Sequence, residues 1–110
     1  MLENNSPIGF EARLPSMAGL QAFEAAARHA SFVGAATELG RTPSAVSHAI
    51  KDLETRLSAA LFERSGRSVK LTSAGQDYLA TVQTALSDLH AATRRLQRRH
   101  EDHIVRISAL

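Results

Sequence analysis

The fold of this chain is decided by the segment Thr42-Pro-Ser-Ala-Val-Ser-His-Ala-Ile-Lys-Asp-Leu-Glu-Thr-Arg-Leu57. Thr42 offers a capping hydroxyl, and Pro43 follows at the first helical position, where its missing N–H is no loss. Apolar side chains then recur every three or four residues, at Val46, Ile50, Leu53 and Leu57. This spacing predicts an amphipathic helix that buries one face and exposes the other.

A shorter helix is predicted immediately before this segment. Ser31 is a suitable N-cap, and the apolar stripe behind it has the spacing i, i+3, i+4 and i+7, at Phe32, Ala35, Ala36 and Leu39. Gly40 follows where a left-handed residue ends a helix at least cost. Because about three residues including a glycine join the two helices, the pair has the pattern of a helix-turn-helix. Another helix, capped by Ser16 and running to about His29, is predicted upstream.

The periodicity changes after the third helix. From Leu61 to Thr72, apolar residues alternate with polar ones around Ser65-Gly66, which predicts a short β-hairpin. Thr72 or Ser73 then caps a fourth helix that should reach about Asp102. Its apolar residues recur at alternating spacings of three and four, as in a helix that packs on another helix. We assign a dimer interface to Leu79, Val82, Leu86, Leu89, Thr93 and Leu96.

The predicted fold class is mainly α: a winged helix-turn-helix of three helices and a β-hairpin wing, followed by a long dimerisation linker helix. Residues 1–15, broken by three Pro or Gly residues, are predicted to be a flexible tail. The winged helix-turn-helix occupies 16–72 and the linker helix 73–102. The remaining residues, 103–110, are predicted to form one β-strand with no sheet to join, which suggests truncation.

Composition excludes several classes of protein. The 110 residues are 44% hydrophobic, which suits one small domain with a modest core. Without cysteine, the chain has no disulfide scaffold, thiolate metal site or cysteine nucleophile. The N-terminus lacks the basic start and apolar core of a signal peptide, and no apolar stretch approaches the roughly 20 residues of a membrane span. We therefore expect a cytoplasmic protein with no membrane partner.

The distribution of charge is more informative than the net charge of +2. Between Arg41 and Thr72, six Lys or Arg residues stand against three acidic ones. The exposed positions early in the third helix are mostly small, so its backbone can approach the bases of DNA; they are Pro43, Ser44, Ala45, Ser47, His48 and Lys51. On the hairpin, Arg64, Arg67 and Lys70 are placed to reach phosphates or a minor groove.

Simpler interpretations compete with these predictions. A helical hairpin with one solvated face has the same periodicity, and charged turns are common on protein surfaces. The basic cluster Arg94–Arg99 is interpreted as solvated or paired with neighbouring carboxylates. The five histidines, His100 and His103 among them, lack a cysteine or carboxylate in helical register, so no metal site is assigned. Ser47 and His48 are sequence neighbours and do not face each other as nucleophile and base. We therefore predict no enzyme activity, metal or cofactor.

Over residues 15 to about 100, the order of these motifs resembles the N-terminal domain of LysR-type transcriptional regulators. The matching stretches are Leu20-Gln-Ala-Phe-Glu-Ala-Ala-Ala-Arg28, Ser31-Phe32 with Ala35-Ala36, Ser44-Ala-Val-Ser-His-Ala-Ile-Lys-Asp-Leu-Glu54, Leu61-Phe-Glu-Arg64 and Leu71-Thr-Ser-Ala-Gly75. Two of them, Phe23-Glu-Ala-Ala-Ala-Arg-His29 and Val46-Ser-His48, are similar to the subgroup that contains the glycine-cleavage activator.

The resemblance implies a sequence-specific regulator that binds double-stranded DNA as a homodimer through the fourth helix, and a tetramer in the full-length protein. It implies recognition through Thr42 to His48 and a wing at Arg64 to Ser68, and Ser31 completes the predicted DNA-binding set. A small-molecule effector would act only through the missing C-terminal domain, because Ile104–Leu110 is similar to the first strand of the family's effector-binding domain. The alternative is a helical protein-interaction adaptor that uses the same seam without DNA, although an adaptor has no need of a basic wing.

Two residues depart from the family pattern. Pro43 stands where many relatives carry Gln, so an amide contact to adenine is unavailable at that position. Ser58 replaces the usual Gly after the third helix, which argues against a simple left-handed C-cap there.

Overall fold

The computed structural model describes residues 14–65 and 68–109. Within these ranges the elements are, in chain order, α1 (Met17–His29), α2 (Phe32–Leu39), α3 (Pro43–Leu57), β1 (Phe62–Ser65), β2 (Ser68–Leu71) and α4 (Ser73–Ala109). The two strands pair antiparallel, with Phe62 opposite Leu71 and Ser65 opposite Ser68. The predicted mainly α winged helix-turn-helix with a long following helix is confirmed. Most of the predicted N-terminal tail, residues 1–13, lies outside the described residues.

The first three helices begin with the predicted capping hydroxyls. Ser16 Oγ accepts a hydrogen bond from the Gly19 backbone N–H, and Ser31 Oγ accepts one from Gly34, each at 3.0 Å. Thr42 Oγ1 accepts one from the Ala45 N–H at 3.1 Å. Each cap satisfies a donor that has no partner within its helix, so the three N-termini are specified by local chemistry.

The same helices end in left-handed residues, and one of these ends corrects a prediction. Gly40 has a φ of 67°, as expected, and Ala30 has a φ of 52°. Ser58 also adopts this conformation, with a φ of 53° and a ψ of 40°. The argument against a left-handed cap at Ser58 was therefore wrong. The cap is held by backbone bonds, because the N–H of Ala59 donates to the carbonyl of Glu54 at 3.1 Å.

The core lies where α1, α2 and α3 meet the hairpin and the start of α4. Three aromatic rings pack edge to face within it: the centroid of the Phe62 ring lies 5.6 Å from that of Phe23 and 5.8 Å from that of Phe32. The buried apolar residues are Ala22, Phe23, Ala25, Ala26, Ala35, Ala36, Val46, Ile50, Leu53, Leu61, Phe62 and Val82. Small side chains on α1 and α2 let the helices approach closely.

Helix α4 packs on this core through its first turns and then extends away from it. Val82 is buried in the core, whereas Leu89 and Leu96 are 50% and 64% exposed. A Cβ at Gly75 would clash with the carbonyl oxygen of Leu61, so glycine permits the close approach of α4 to the hairpin. The helix has 37 residues, which corresponds to about 55 Å.

Two predictions about α4 need correction. Residues 103–109 continue the helix instead of forming a β-strand. An established helix gains one hydrogen bond for each residue added, whereas a strand requires a partner strand to pair with. Val82, assigned to the dimer interface, is 4% exposed within its own chain, so it belongs to the core of the single chain.

Candidate nucleic-acid interface

Helix α3 turns its apolar face to the core and its polar face outward. Val46, Ile50 and Leu53 are at most 1% exposed. His48 and Lys51 are exposed on the outward side, and Ser47 is half-buried at its margin. The N-terminal end of the helix is also open, because its predicted contact residues are exposed: Thr42, Pro43, Ser44 and Ala45. The structure thus brings the predicted α3 residues together on one accessible surface.

The N-terminus of α3 can present donors to an anion. The positive end of a helix dipole and its free N–H groups favour negative charge. Thr42 Oγ1 already accepts its capping bond, and a hydroxyl in this role keeps its own proton available for donation. Ser31 has the same role at the start of α2 but is half-buried, so its side chain is less accessible.

The hairpin carries its charges on both faces. Arg64 and Lys70 are exposed, as predicted. Lys70 lies directly opposite Glu63 across the two strands, a pairing of opposite charges that offsets part of its field. Arg67 lies outside the described residues. Ser68 is the first residue of β2.

Glu54 is a residue of this region that the sequence did not reveal. One of its carboxylate oxygens, Oε2, accepts hydrogen bonds from the backbone N–H of Leu61 at 2.8 Å and of Phe62 at 3.2 Å. The other, Oε1, lies 3.9 Å from the guanidinium of Arg64. The available signal was a carboxylate beside the buried Leu53 and seven residues before Leu61, but that spacing alone does not identify its partners.

A second polar cluster joins α1 to α2. The guanidinium of Arg28 makes two-point contacts with Glu24, at 2.9 Å, and with Glu38, at 2.7 Å, while His29 Nε2 lies 2.7 Å from Glu38. Arg28 and then His29 lower the pKa of Glu38 to about 2, and Arg28 also lowers the pKa of Glu24. Glu24 and Arg28 are four residues apart on α1, which is about one helical turn. Glu38 is ten residues from Arg28 and lies on another helix, so the ion pair between them forms only because α1 and α2 pack together.

The predicted dimer seam divides into two parts. Leu79 and Leu86 are half-buried against the core of their own chain, and Val82 between them is fully buried in it. Leu89, Thr93 and Leu96 are exposed, and Ile104 and Ile107 extend the same stripe toward the end of α4 at 48% and 57% exposure. Leu79 and Leu86 remain partly accessible, and the second part is fully open to another molecule.

Two other kinds of site find no support in residues 14–65 and 68–109. No three His, Asp or Glu side chains in these ranges converge as metal ligands do. No helix within them combines the length and apolar character needed to cross a membrane.

These elements define a winged helix-turn-helix protein with an appended long helix. A model of the family "Bacterial regulatory helix-turn-helix protein, lysR family" matches residues 17–76, and the chain belongs to this family. The resemblance proposed from the sequence is therefore confirmed.

Proteins of similar sequence support the assignment to this family. The glycine cleavage system transcriptional activator of Escherichia coli (strain K12) is 47% identical over 98 residues, which are 89% of this chain and 32% of that protein. Its homolog in Haemophilus influenzae (strain ATCC 51907 / DSM 11121 / KW20 / Rd) is 48% identical over 84 residues, 76% of this chain and 28% of that protein. The similarity to this subgroup is confirmed, and the chain spans about a third of the length of these curated relatives.

Solved structures share the fold. The BenM DBD in complex with benA site 1 DNA has a TM-score of 0.69 and 29% identity, over 76% of this chain and 96% of that one. The CbnR DBD–DNA complex has a TM-score of 0.66 and 28% identity, over 72% of this chain and 91% of that one.

Proposed function

We propose that this chain is the DNA-binding part of a transcriptional regulator, and that it binds a pseudo-palindromic operator in double-stranded DNA as a homodimer. The observation that carries the proposal is the outward face of α3, where exposed small and basic side chains lie over a fully buried apolar face. Two structural neighbours, the CbnR and BenM DBDs, are complexes with DNA, which supports it.

In this proposal α3 lies in the major groove. A helix fits that groove, and its early residues reach the base edges. His48 can donate to guanine N7 or O6, Ser47 contacts a base or phosphate, and Lys51 binds phosphate. The small side chains Pro43, Ser44 and Ala45 let the backbone come close to the DNA, where the N-terminal N–H groups meet a phosphate.

The hairpin acts as a wing beside the groove. Arg64, Arg67 and Ser68 would contact the sugar-phosphate backbone or the minor groove, where positive charge is favoured. Such contacts position the protein on DNA and do not themselves read sequence. Because Lys70 faces Glu63, its contribution is expected to be smaller than that of Arg67.

The exposed stripe of α4 supplies the dimer contact. Leu89 and Leu96 lie one heptad apart, Thr93 lies between them, and Ile107 continues the line. A helix with this stripe buries it against a second helix, and each Leu fully removed from water contributes roughly 1.5–3 kcal/mol. Two copies joined in this way present two α3 helices to two half-sites.

The proposal extends to the whole protein. The family consists of bacterial regulatory proteins, and we assign this chain no catalytic role, metal or cofactor. In a full-length protein, an effector would bind a C-terminal domain, and a tetramer would form. The regulator would act in the cytoplasm, where bacterial DNA is found.

The decisive experiment is selection of bound duplexes from a random DNA pool, followed by affinity measurement across salt concentrations. We expect a consensus of two inverted half-sites. Lys51→Gln should weaken binding and reduce the slope of log affinity against log salt by about 1. Arg56→Gln is the matched control, because it removes the same charge from the same helix at an exposed position on another face. Absence of any enriched sequence, with dimers still present, would favour the adaptor.

A further inference from the structure

We infer that Glu54 is a positioning residue of the DNA interface, which seats the wing with one carboxylate oxygen and restrains the charge of Arg64 with the other. The inference rests on the proposed function. Glu54 would touch neither base nor phosphate and would act through Arg64.

The first part of this role is structural. Glu54 Oε2 accepts the backbone N–H groups of Leu61 and Phe62, the last residue before β1 and its first residue. Hydrogen bonds to an ionised acceptor are stronger than neutral ones, and the side chain is only 18% exposed. The backbone carbonyl of Glu54 accepts from Ala59 as well, so one residue anchors both sides of the turn between α3 and the hairpin.

The second part concerns Arg64. Its guanidinium lies 3.9 Å from Glu54 Oε1 and 5.1 Å from the centre of the Phe32 ring. Arg64 pairs with Val69 across the hairpin and shares the strand face of the buried Phe62. The charge is therefore drawn toward α2 and α3 by a carboxylate and an aromatic face. A phosphate at the wing must compete with both, which limits binding that is independent of sequence.

A conservative substitution separates the two parts. In Glu54→Gln, the amide oxygen can still accept the N–H groups of Leu61 and Phe62, but the amide N–H₂ then faces the guanidinium in place of an oxygen anion. Glu54→Ala removes both interactions. Asp52→Asn is the matched control, because it removes one negative charge from the same helix at a residue that pairs with Arg56 at 3.1 Å.

The test measures affinity for a selected duplex and a scrambled duplex across salt concentrations. Glu54→Gln should bind both about two- to fivefold more tightly at low salt, as expected for release of one partly exposed ion pair, with a steeper salt slope. This gain should vanish in an Arg64→Ala background, whereas the effect of Asp52→Asn should persist there. Hydrogen exchange of the Leu61 and Phe62 amides should stay slow in Glu54→Gln and become faster in Glu54→Ala.

The outcomes separate the inference from the proposed function. A gain in Glu54→Gln that survives Arg64→Ala, or one matched by Asp52→Asn in every background, would overturn the restraint of Arg64. Unchanged amide exchange in Glu54→Ala would overturn the seating of the wing. If the unmodified chain bound no duplex, the proposed function would fail, and the charge restraint with it, while the exchange measurement would still decide the structural part.

Discussion

The hydroxyl of Thr72 donates a hydrogen bond of 2.6 Å to the carbonyl oxygen of Ala60. The same oxygen, Thr72 Oγ1, accepts the N–H of Gly75 at 2.9 Å, and the Thr72 N–H donates to Leu61 at 2.9 Å. One residue thus closes the hairpin and caps α4. The direction in which α4 leaves the core is therefore tied to the base of the wing.

Replacing this hydroxyl should cost stability. Thr72→Val keeps the shape of the side chain but removes the cap and leaves the carbonyl of Ala60 with one bond fewer. We expect a loss of about 1–2 kcal/mol in the free energy of unfolding, measured by urea denaturation. Thr84→Val is the control, because the Thr84 hydroxyl donates only within its own helix, to Ala80, and its loss should matter little. Equal losses in the two variants would contradict the capping role.

The exposed stripe of α4 should control assembly. Leu96 is 64% exposed, so Leu96→Asp should abolish dimers without disturbing the core, and sedimentation should report monomers. Leu86→Asp is also expected to give monomers, but Leu86 is half-buried against the core, so that change destabilises the single chain too. Ala91→Asp, on the opposite side of α4, should remain dimeric. A dimeric Leu96→Asp would place the interface elsewhere.

His48 is predicted to read a base. His48→Ala should change the selected consensus at one symmetric pair of positions and cost roughly 1–3 kcal/mol at the preferred base. Lys51→Ala provides the comparison, since loss of a phosphate contact weakens all sequences alike. An unchanged consensus with uniformly lower affinity would leave His48 as a residue that only positions the helix.

The wing should contribute through charge. Arg67→Ala should weaken binding to every duplex and flatten the dependence of affinity on salt. Lys70→Ala should have a smaller effect, because Lys70 faces Glu63 across the hairpin. Titration of both variants between low and moderate salt measures the slopes. If the slope for Arg67→Ala matched that of the unmodified chain, Arg67 would lie away from the DNA.

The cluster between α1 and α2 should make stability depend on pH. Arg28 and His29 lower the pKa of Glu38 from 4.5 to about 2. A carboxyl group whose pKa is lowered in the folded state stabilises the fold fully when the pH is above its pKa in the unfolded state. This stabilisation is lost as the pH falls from about 4.5 to about 2. The thermal midpoint should therefore fall less over this range in Glu38→Gln than in the unmodified chain. Glu101→Gln, on the distal part of α4, should follow the unmodified chain. Identical pH profiles for Glu38→Gln and the unmodified chain would remove Glu38 from this role.

Sequence patterns predicted most elements because local chemistry specifies them. The hydroxyls of Ser16, Ser31 and Thr42 cap the helices that follow them, and the apolar stripe of α3 lies buried as its spacing indicated. The prediction of a strand at 103–110 was wrong because a strand, unlike a capped helix, depends on a partner distant in the sequence. The β-branched Ile104, Val105 and Ile107 favour a strand only where another strand pairs with them, and a helix that had already formed continued instead.

By itself, then, the amino-acid sequence determined where the helices and the hairpin begin, which face of α3 is buried, and the family to which the chain belongs. The tertiary structure decided which distant groups meet. It placed Glu54 at the start of β1, joined Arg28 to Glu38, and divided the α4 seam between the core and the exposed stripe. The physical reason is the distance along the chain over which each kind of interaction acts. Caps and periodicity act over three or four residues along the chain, whereas ion pairs and burial depend on how separate elements pack.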